Sequence, residues 1–131
     1  MAVQTTPSPG RFTFPQVAVA LQTLALFFQS VTAGMLLSGS LGLALHDAGS
    51  KVMYGASMLY VLAAVLAWKP GGGSARPALY ATGFLVLSSA QVVLGVAHMP
   101  AFHVPLGIVM FALSVLVLAA TVRTTRGAAA A

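Results

Sequence analysis

Four stretches of this chain carry almost no charge, and their length constrains the fold more than any other feature. They cover roughly residues 17–37, 52–68, 79–97 and 104–122, that is, 17 to 21 residues each. At about 1.5 Å per residue such a helix spans about 25–31 Å, close to the ~30 Å hydrocarbon core of a bilayer. Inside lipid a backbone has to satisfy its own hydrogen bonds, so the four stretches are predicted to be helices rather than strands. Composition points the same way: 59% of the 131 residues are hydrophobic and 5% are charged, against about 25% charged in an average soluble domain. The chain reads as a one-domain integral membrane protein.

The joints are short and rich in helix breakers. Residues 38–50 contain a Ser-Gly-Ser run and two further glycines, 69–78 contain Pro70, three consecutive glycines and Pro77, and 98–103 contain Pro100. Such joints make sequence neighbours antiparallel, which gives an all-α, up-down-up-down four-helix bundle over residues 15–123. Tails 1–14 and 124–131 are expected to be loosely ordered. The second span is the shortest, and Gly49, Ser50 and Lys51 extend it into the headgroup layer, with the Lys51 ammonium snorkelling outward.

The basic residues orient the bundle. Arg11, Lys69, Arg76, Arg123 and Arg126 fall on one side of a four-span topology, and Lys51 alone falls on the other. An excess of Lys and Arg marks the cytoplasmic side, so both termini are predicted to be cytoplasmic in a bacterial-type membrane. Residues 1–14 lack the charged start, apolar run and small-residue cleavage site of a signal peptide. A net charge of +5 does not make this a nucleic-acid binder, because the bases stand singly near segment ends and form no stripe along which phosphates could lie.

Absences narrow the chemistry. Without cysteine there are no disulfides, thiolate clusters or covalently attached c-type haem. The only acid is Asp47, so neither a carboxylate dyad nor a nucleophile triad with its own acid can be assembled. No acidic or basic residue lies deep in a span, which removes the parts of a proton relay or ion-coupled transporter. Side-chain acid–base catalysis is therefore not expected, and any redox chemistry would belong to a bound cofactor.

What remains is a polar cluster at one face. His46, Asp47 and Lys51 come at the start of the second helix, His98 at the end of the third and His103 at the start of the fourth. For a single histidine, an amphipathic anchor at the membrane interface is an adequate explanation. Spacing adds to it. His46, Ser50, Met53, Ser57, Tyr60 and Ala64 advance by 4, 3, 4, 3, 4, and so do His103, Gly107, Met110, Ser114, Val117 and Thr121; each set lies on one helix face. The two sets match at a constant offset of 57 residues, an internal repeat of two pseudo-symmetric hairpins. The repeat places His46 and His103 opposite each other at equal depth. Two opposed imidazoles suit axial ligation of a b-type haem, with Gly49, Ser50 and Gly107 leaving room for a flat macrocycle, Met53 and Met110 flooring the pocket, and Lys51 facing a propionate. Ordinary helix packing equally accounts for the small residues and methionines. The third helix carries Ser88, Gln91, Gly95 and His98 on one stripe, and Gln91 is a candidate for the same site. Gln22 and Gln29 of the first read as hydrogen-bonding glue between helices.

Two other readings stay open. His98 and Met99 with His46, His103 and Asp47 could hold copper, since imidazole and thioether ligands suit that metal. A cofactor-free bundle could serve as an accessory subunit of a larger respiratory complex or form a homo-oligomer.

The histidine starting the second helix, Gln91-x-x-x-Gly95 near the end of the third and the histidine starting the fourth together resemble one half of heme A synthase. The run Val31, Thr32, Ala33, Gly34 and the Ser38, Gly39, Ser40 that follow are similar to that family's first-helix region. The resemblance covers about residues 24–122 and implies a four-helix half-bundle with a haem held by the two histidines. It also implies a departure: the family's enzymes carry Glu three residues before the first histidine and Arg directly after it, where this chain has Leu43 and Asp47. The implied protein binds haem without the carboxylate used to hydroxylate it.

Overall fold

The computed structural model of the protein describes residues 12–39 and 42–130, with side chains as far as Arg123. All its regular structure is helical: α1 (Phe14–Leu37), α2 (Gly42–Trp68), α3 (Arg76–Val96) and α4 (Pro100–Ala130). Each has a segment long and apolar enough to cross a membrane. The fold is a four-helix bundle of a multi-pass membrane protein.

Local chemistry sets the helix ends. Thr13, in extended conformation, caps α1: its hydroxyl accepts from Gln16 N–H at 3.4 Å and its own N–H donates to Gln16 Oε1 at 2.8 Å. This reciprocal pair satisfies two backbone donors that the helix start would otherwise orphan. At the other end the Ser38 hydroxyl donates to the carbonyls of Gly34 and Met35, and Gly39 takes φ +78°, a left-handed turn that stops the helix at no steric cost. Gly42 then passes so close to the Leu36 backbone that a β-carbon would overlap it.

α2 begins ten residues earlier than the apolar pattern indicates. Gly, Ser, Asp and Lys between positions 42 and 51 read as a joint, yet Leu43, Ala44, Leu45 and Ala48 are interleaved with them and carry the helix through. The connection shrinks to positions 38–41, and His46 stands on the helix itself. α4 likewise continues to Ala130 where a loose tail was expected, in keeping with alanine's being the best helix former. The expected loose segment 1–11, Arg11 within it, Ser40 and the side chain of Arg126 lie outside the described residues.

α3 ends in a Schellman motif. Met99 N–H reaches the Leu94 carbonyl at 3.0 Å and His98 N–H the Gly95 carbonyl at 3.1 Å, with His98 in the left-handed region at φ +53°. Pro100 opens α4, where a missing N–H costs nothing. Pro105, a turn later, withholds one donor from the Ala101 carbonyl.

The helices form a square. α1 packs on α2 and α4, α3 packs on α2 and α4, and neither diagonal brings backbones together; the α1–α2 seam is the most extensive and α3–α4 the least. Alanines dominate one core cluster, Ala18, Val19, Tyr60, Ala63, Ala64, Ala78 and Ala81, and small residues are what allow membrane helices to approach closely. A second cluster holds Ala25, Leu26, Met53, Phe84 and Met110. Fully buried Gln22, Ser57, Ser88 and Ser114 accompany these apolar residues, while Leu24, Val93, Ile108 and Leu116 point outward, each more than 60% exposed. Polar side chains inside and large apolar ones outside is the arrangement a lipid solvent demands.

Candidate functional site

α2 and α4 occupy opposite corners of the square and run in the same direction, so side chains that each sends toward the axis near its first turns can meet. His46 and His103 do meet. Their ring centroids are 6.0 Å apart with the planes at 72°, and both side chains are half-buried.

Each ring is held through Nδ1 by the other helix of its own hairpin. His103 Nδ1 lies 3.0 Å from the Gln91 main-chain oxygen in α3. A carbonyl can only accept, so this nitrogen carries the proton and Nε2 keeps its lone pair. His46 Nδ1 lies 3.1 Å from Thr32 Oγ1 in α1. The Thr32 hydroxyl also reaches the Gln29 main-chain oxygen at 3.1 Å; when its proton points there, Thr32 accepts from Nδ1–H and the Nε2 of His46 is likewise a lone pair. Gln29 is fixed in turn, its Nε2 donating to the His46 carbonyl at 3.0 Å. Gln29 therefore bonds between helices, as glue does, and also braces the histidine. Thr32 carried no periodic signal in the sequence; its position one turn beyond Gln29, on the same face, is what could have singled it out.

Close approach shapes the surroundings. A β-carbon on Gly95 would stand 3.2 Å from His103 Cε1, one on Gly107 2.9 Å from Gln91 Nε2, and one on Gly49 2.7 Å from Gln29 Nε2. Gln91 is buried, and its Oε1 has no hydrogen-bond partner, which costs about 1–3 kcal/mol in the interior. Met53 and Met110, two turns below the histidines, are both buried in one cluster. Eleven residues below each histidine, about 16 Å at the helical rise, stand Ser57 and Ser114. Ser57 meets Ser88 of α3 at 3.2 Å, and Ser114 meets Thr23 of α1 at 2.7 Å and Gln22 of α1 at 3.4 Å. The histidines thus bond within their own hairpins and the serines bond across to the other, the pattern of a pseudo-two-fold axis.

Other candidates lie apart from the pair. Lys51 binds Asp47 at 2.9 Å, one turn away on α2, with both side chains mostly exposed. Ser50 donates to the Asp47 carbonyl. His98 and Met99 are exposed in the α3–α4 turn, where the φ of His98 makes it the residue that terminates α3. Among the described residues no three His, Cys, Asp or Glu side chains gather at metal-binding spacing.

Two imidazole lone pairs from opposite helices can ligate one metal centre: nitrogens about 2.0–2.1 Å from a metal on either side leave the ring centres roughly 6 Å apart. The hydrogen bonds at Nδ1 are the outer-shell contacts that orient such ligands and raise their basicity. Asp47, the one acidic residue of the sequence, is paired to Lys51 and not to either histidine. No protein-family model, curated protein or solved structure matches the chain.

Proposed function

We propose that this protein is a small membrane cytochrome that binds b-type haem between His46 and His103 and serves electron transfer or haem handling at one face of the bilayer. The observation that carries the reading is the histidine pair itself: rings 6.0 Å apart, each tethered at Nδ1, each with Nε2 left to bind iron. The room expected for a macrocycle at Gly49 and Gly107 is taken by side chains, Gln29 and Phe28 over the first and Gln91 over the second, so a haem between the histidines requires these to move aside; the buried methionines beneath give it an apolar floor. The resemblance to one half of heme A synthase points the same way. Haem when bound supplies one-electron chemistry; the chain binds it, orients its ligands and shields it from water.

Lys69, Arg76 and Arg123 lie at the end of the bundle opposite the histidines, and the positive-inside rule makes that end cytoplasmic. The site then faces the extracytoplasmic side. One haem there cannot bridge about 30 Å of hydrocarbon, so electrons arrive and leave on the same face, exchanged with a partner redox protein or a larger respiratory assembly. Lys51 reaches a propionate only by leaving Asp47.

The test is an absorption spectrum of protein purified in mild detergent, oxidised and then dithionite-reduced. A Soret band with a sharp reduced α band is expected, its low-spin form lost in His46→Ala and in His103→Ala and kept in His98→Ala. A colourless protein from haem-replete cells would overturn the reading. Metal analysis of that sample then separates a copper protein from a cofactor-free accessory subunit.

A further inference from the structure

The two histidines are tethered by chemically different groups. His103 Nδ1 faces a carbonyl oxygen 3.0 Å away, and a carbonyl permits one tautomer only, with the proton on Nδ1 and the lone pair on Nε2. His46 Nδ1 faces a hydroxyl at 3.1 Å, and a hydroxyl can donate or accept. The Thr32 hydroxyl has three acceptors within reach: the Gln29 main-chain oxygen at 3.1 Å, Gln29 Oε1 at 3.5 Å and His46 Nδ1 itself. Turned toward Gln29, it accepts from Nδ1–H and leaves His46 able to ligate. Turned toward His46, it donates to Nδ1, the ring proton moves to Nε2 and the ligand is lost. Crowding adds to the asymmetry, because His103 Cε1 lies against the Gly95 backbone, where even a β-carbon would find only 3.2 Å.

We propose that the ligands are unequal: His103 is the permanent ligand, and His46 is exchangeable, released by rotation of the Thr32 hydroxyl, so that the site can open one coordination position to a small neutral ligand such as carbon monoxide. This rests on the haem reading above. In the exchange one neutral donor replaces another, the Fe–Nε2 bond to His46 breaking as an Fe–C bond forms, with no change in electron count on ferrous iron.

The first arm of the test needs no haem. Imidazole ¹⁵N shifts of the haem-free protein in detergent micelles are expected to show His103 as a single Nδ1–H tautomer and His46 as two tautomers in exchange. Two fixed, identical tautomers would overturn the inference even if haem binds. The second arm uses haem-loaded protein. Losing an outer-shell hydrogen bond outright costs about 10–100-fold in metal affinity, so His46→Ala, which keeps the histidine whose tether fixes one tautomer, is expected to hold five-coordinate haem more tightly than His103→Ala, by up to about tenfold. Carbon monoxide is expected to bind the reduced wild type, and less readily in Thr32→Val, which takes away the hydroxyl whose rotation releases His46. Equal haem loss in both alanine variants, or carbon monoxide binding unaltered by Thr32→Val, would overturn the inequality while leaving the cytochrome standing. Absence of any Soret band would overturn both.

Discussion

Gly95→Ala separates what the α3 backbone does for the fold from what it does for His103. Replacing a mid-helix glycine with alanine recovers about 0.5–1 kcal/mol of conformational entropy, and Gly95, the penultimate residue of α3, recovers at most that. The added methyl, however, would stand 3.2 Å from His103 Cε1 and 3.4 Å from Nδ1. Carbon atoms settle at about 3.5–4.0 Å, so the ring has to retreat by roughly 0.3 Å. That lengthens the 3.0 Å contact with the Gln91 carbonyl toward the ~3.2 Å limit of a good N–H···O bond. Such a bond is worth about 0.5–1.5 kcal/mol net, and losing part of it cancels much of the entropic gain. Unfolding stability in detergent is therefore expected within about 0.5 kcal/mol of wild type. Haem affinity is expected to fall by up to about tenfold, the low end of outer-shell effects. Gly83→Ala is the control, since a β-carbon there meets nothing within 4 Å; it takes the entropic gain alone and leaves haem affinity unchanged. The measurements are reversible unfolding of both variants, the ¹⁵N shift of His103 Nδ1, and haem titration. If Gly95→Ala matches Gly83→Ala in all three, the crowding of His103 against α3 is not what fixes its ring.

Two further outcomes are expected. His98→Gly relieves a left-handed conformation that costs a non-glycine residue about 1–2 kcal/mol, so thermal unfolding in detergent should show roughly 1 kcal/mol more stability, with the haem spectrum unchanged; a loss of stability would mean that the imidazole has a partner across the α3–α4 turn. Gln22→Leu removes a fully buried amide whose Oε1 is unpaired and whose one side-chain bond, to Ser114, is long at 3.4 Å. Because an orphaned buried acceptor costs about 1–3 kcal/mol, the variant is expected to be as stable as wild type or more so, and a loss beyond about 2 kcal/mol would show that Oε1 is satisfied in the membrane.

The spans and their antiparallel order could be read from the sequence because the bilayer imposes one length on every crossing. The meeting of His46 and His103 was legible too, through equal spacing along two helix faces and the offset between them. The start of α2 was hidden for a physical reason: Gly42, Gly49, Ser50 and Lys51 are turn-like in composition, but short loops and good helix formers between them favour winding the helix early. The tethers were hidden for another. The partner of His103 is the main-chain carbonyl of Gln91, which no side chain advertises, and Thr32 is a modest hydroxyl in an apolar run whose role depends on which face of α1 meets α2. Lys51 and Asp47 stand four apart on α2, and that spacing foretells the ion pair they form in place of joining the site.

The crossed bonding of histidines and serines bears on how the protein comes to be assembled. Membrane hairpins insert as units before they dock laterally. Here each hairpin carries the tether of its own histidine, Thr32 with His46 and Gln91 with His103, so both rings can be aimed before the halves encounter one another. Ser57 with Ser88 and Ser114 with Thr23 exist only after docking. In that order of assembly the histidines are aimed first and the halves latched second, and the glycine-rich joint at 69–75 needs only to keep the two hairpins within reach.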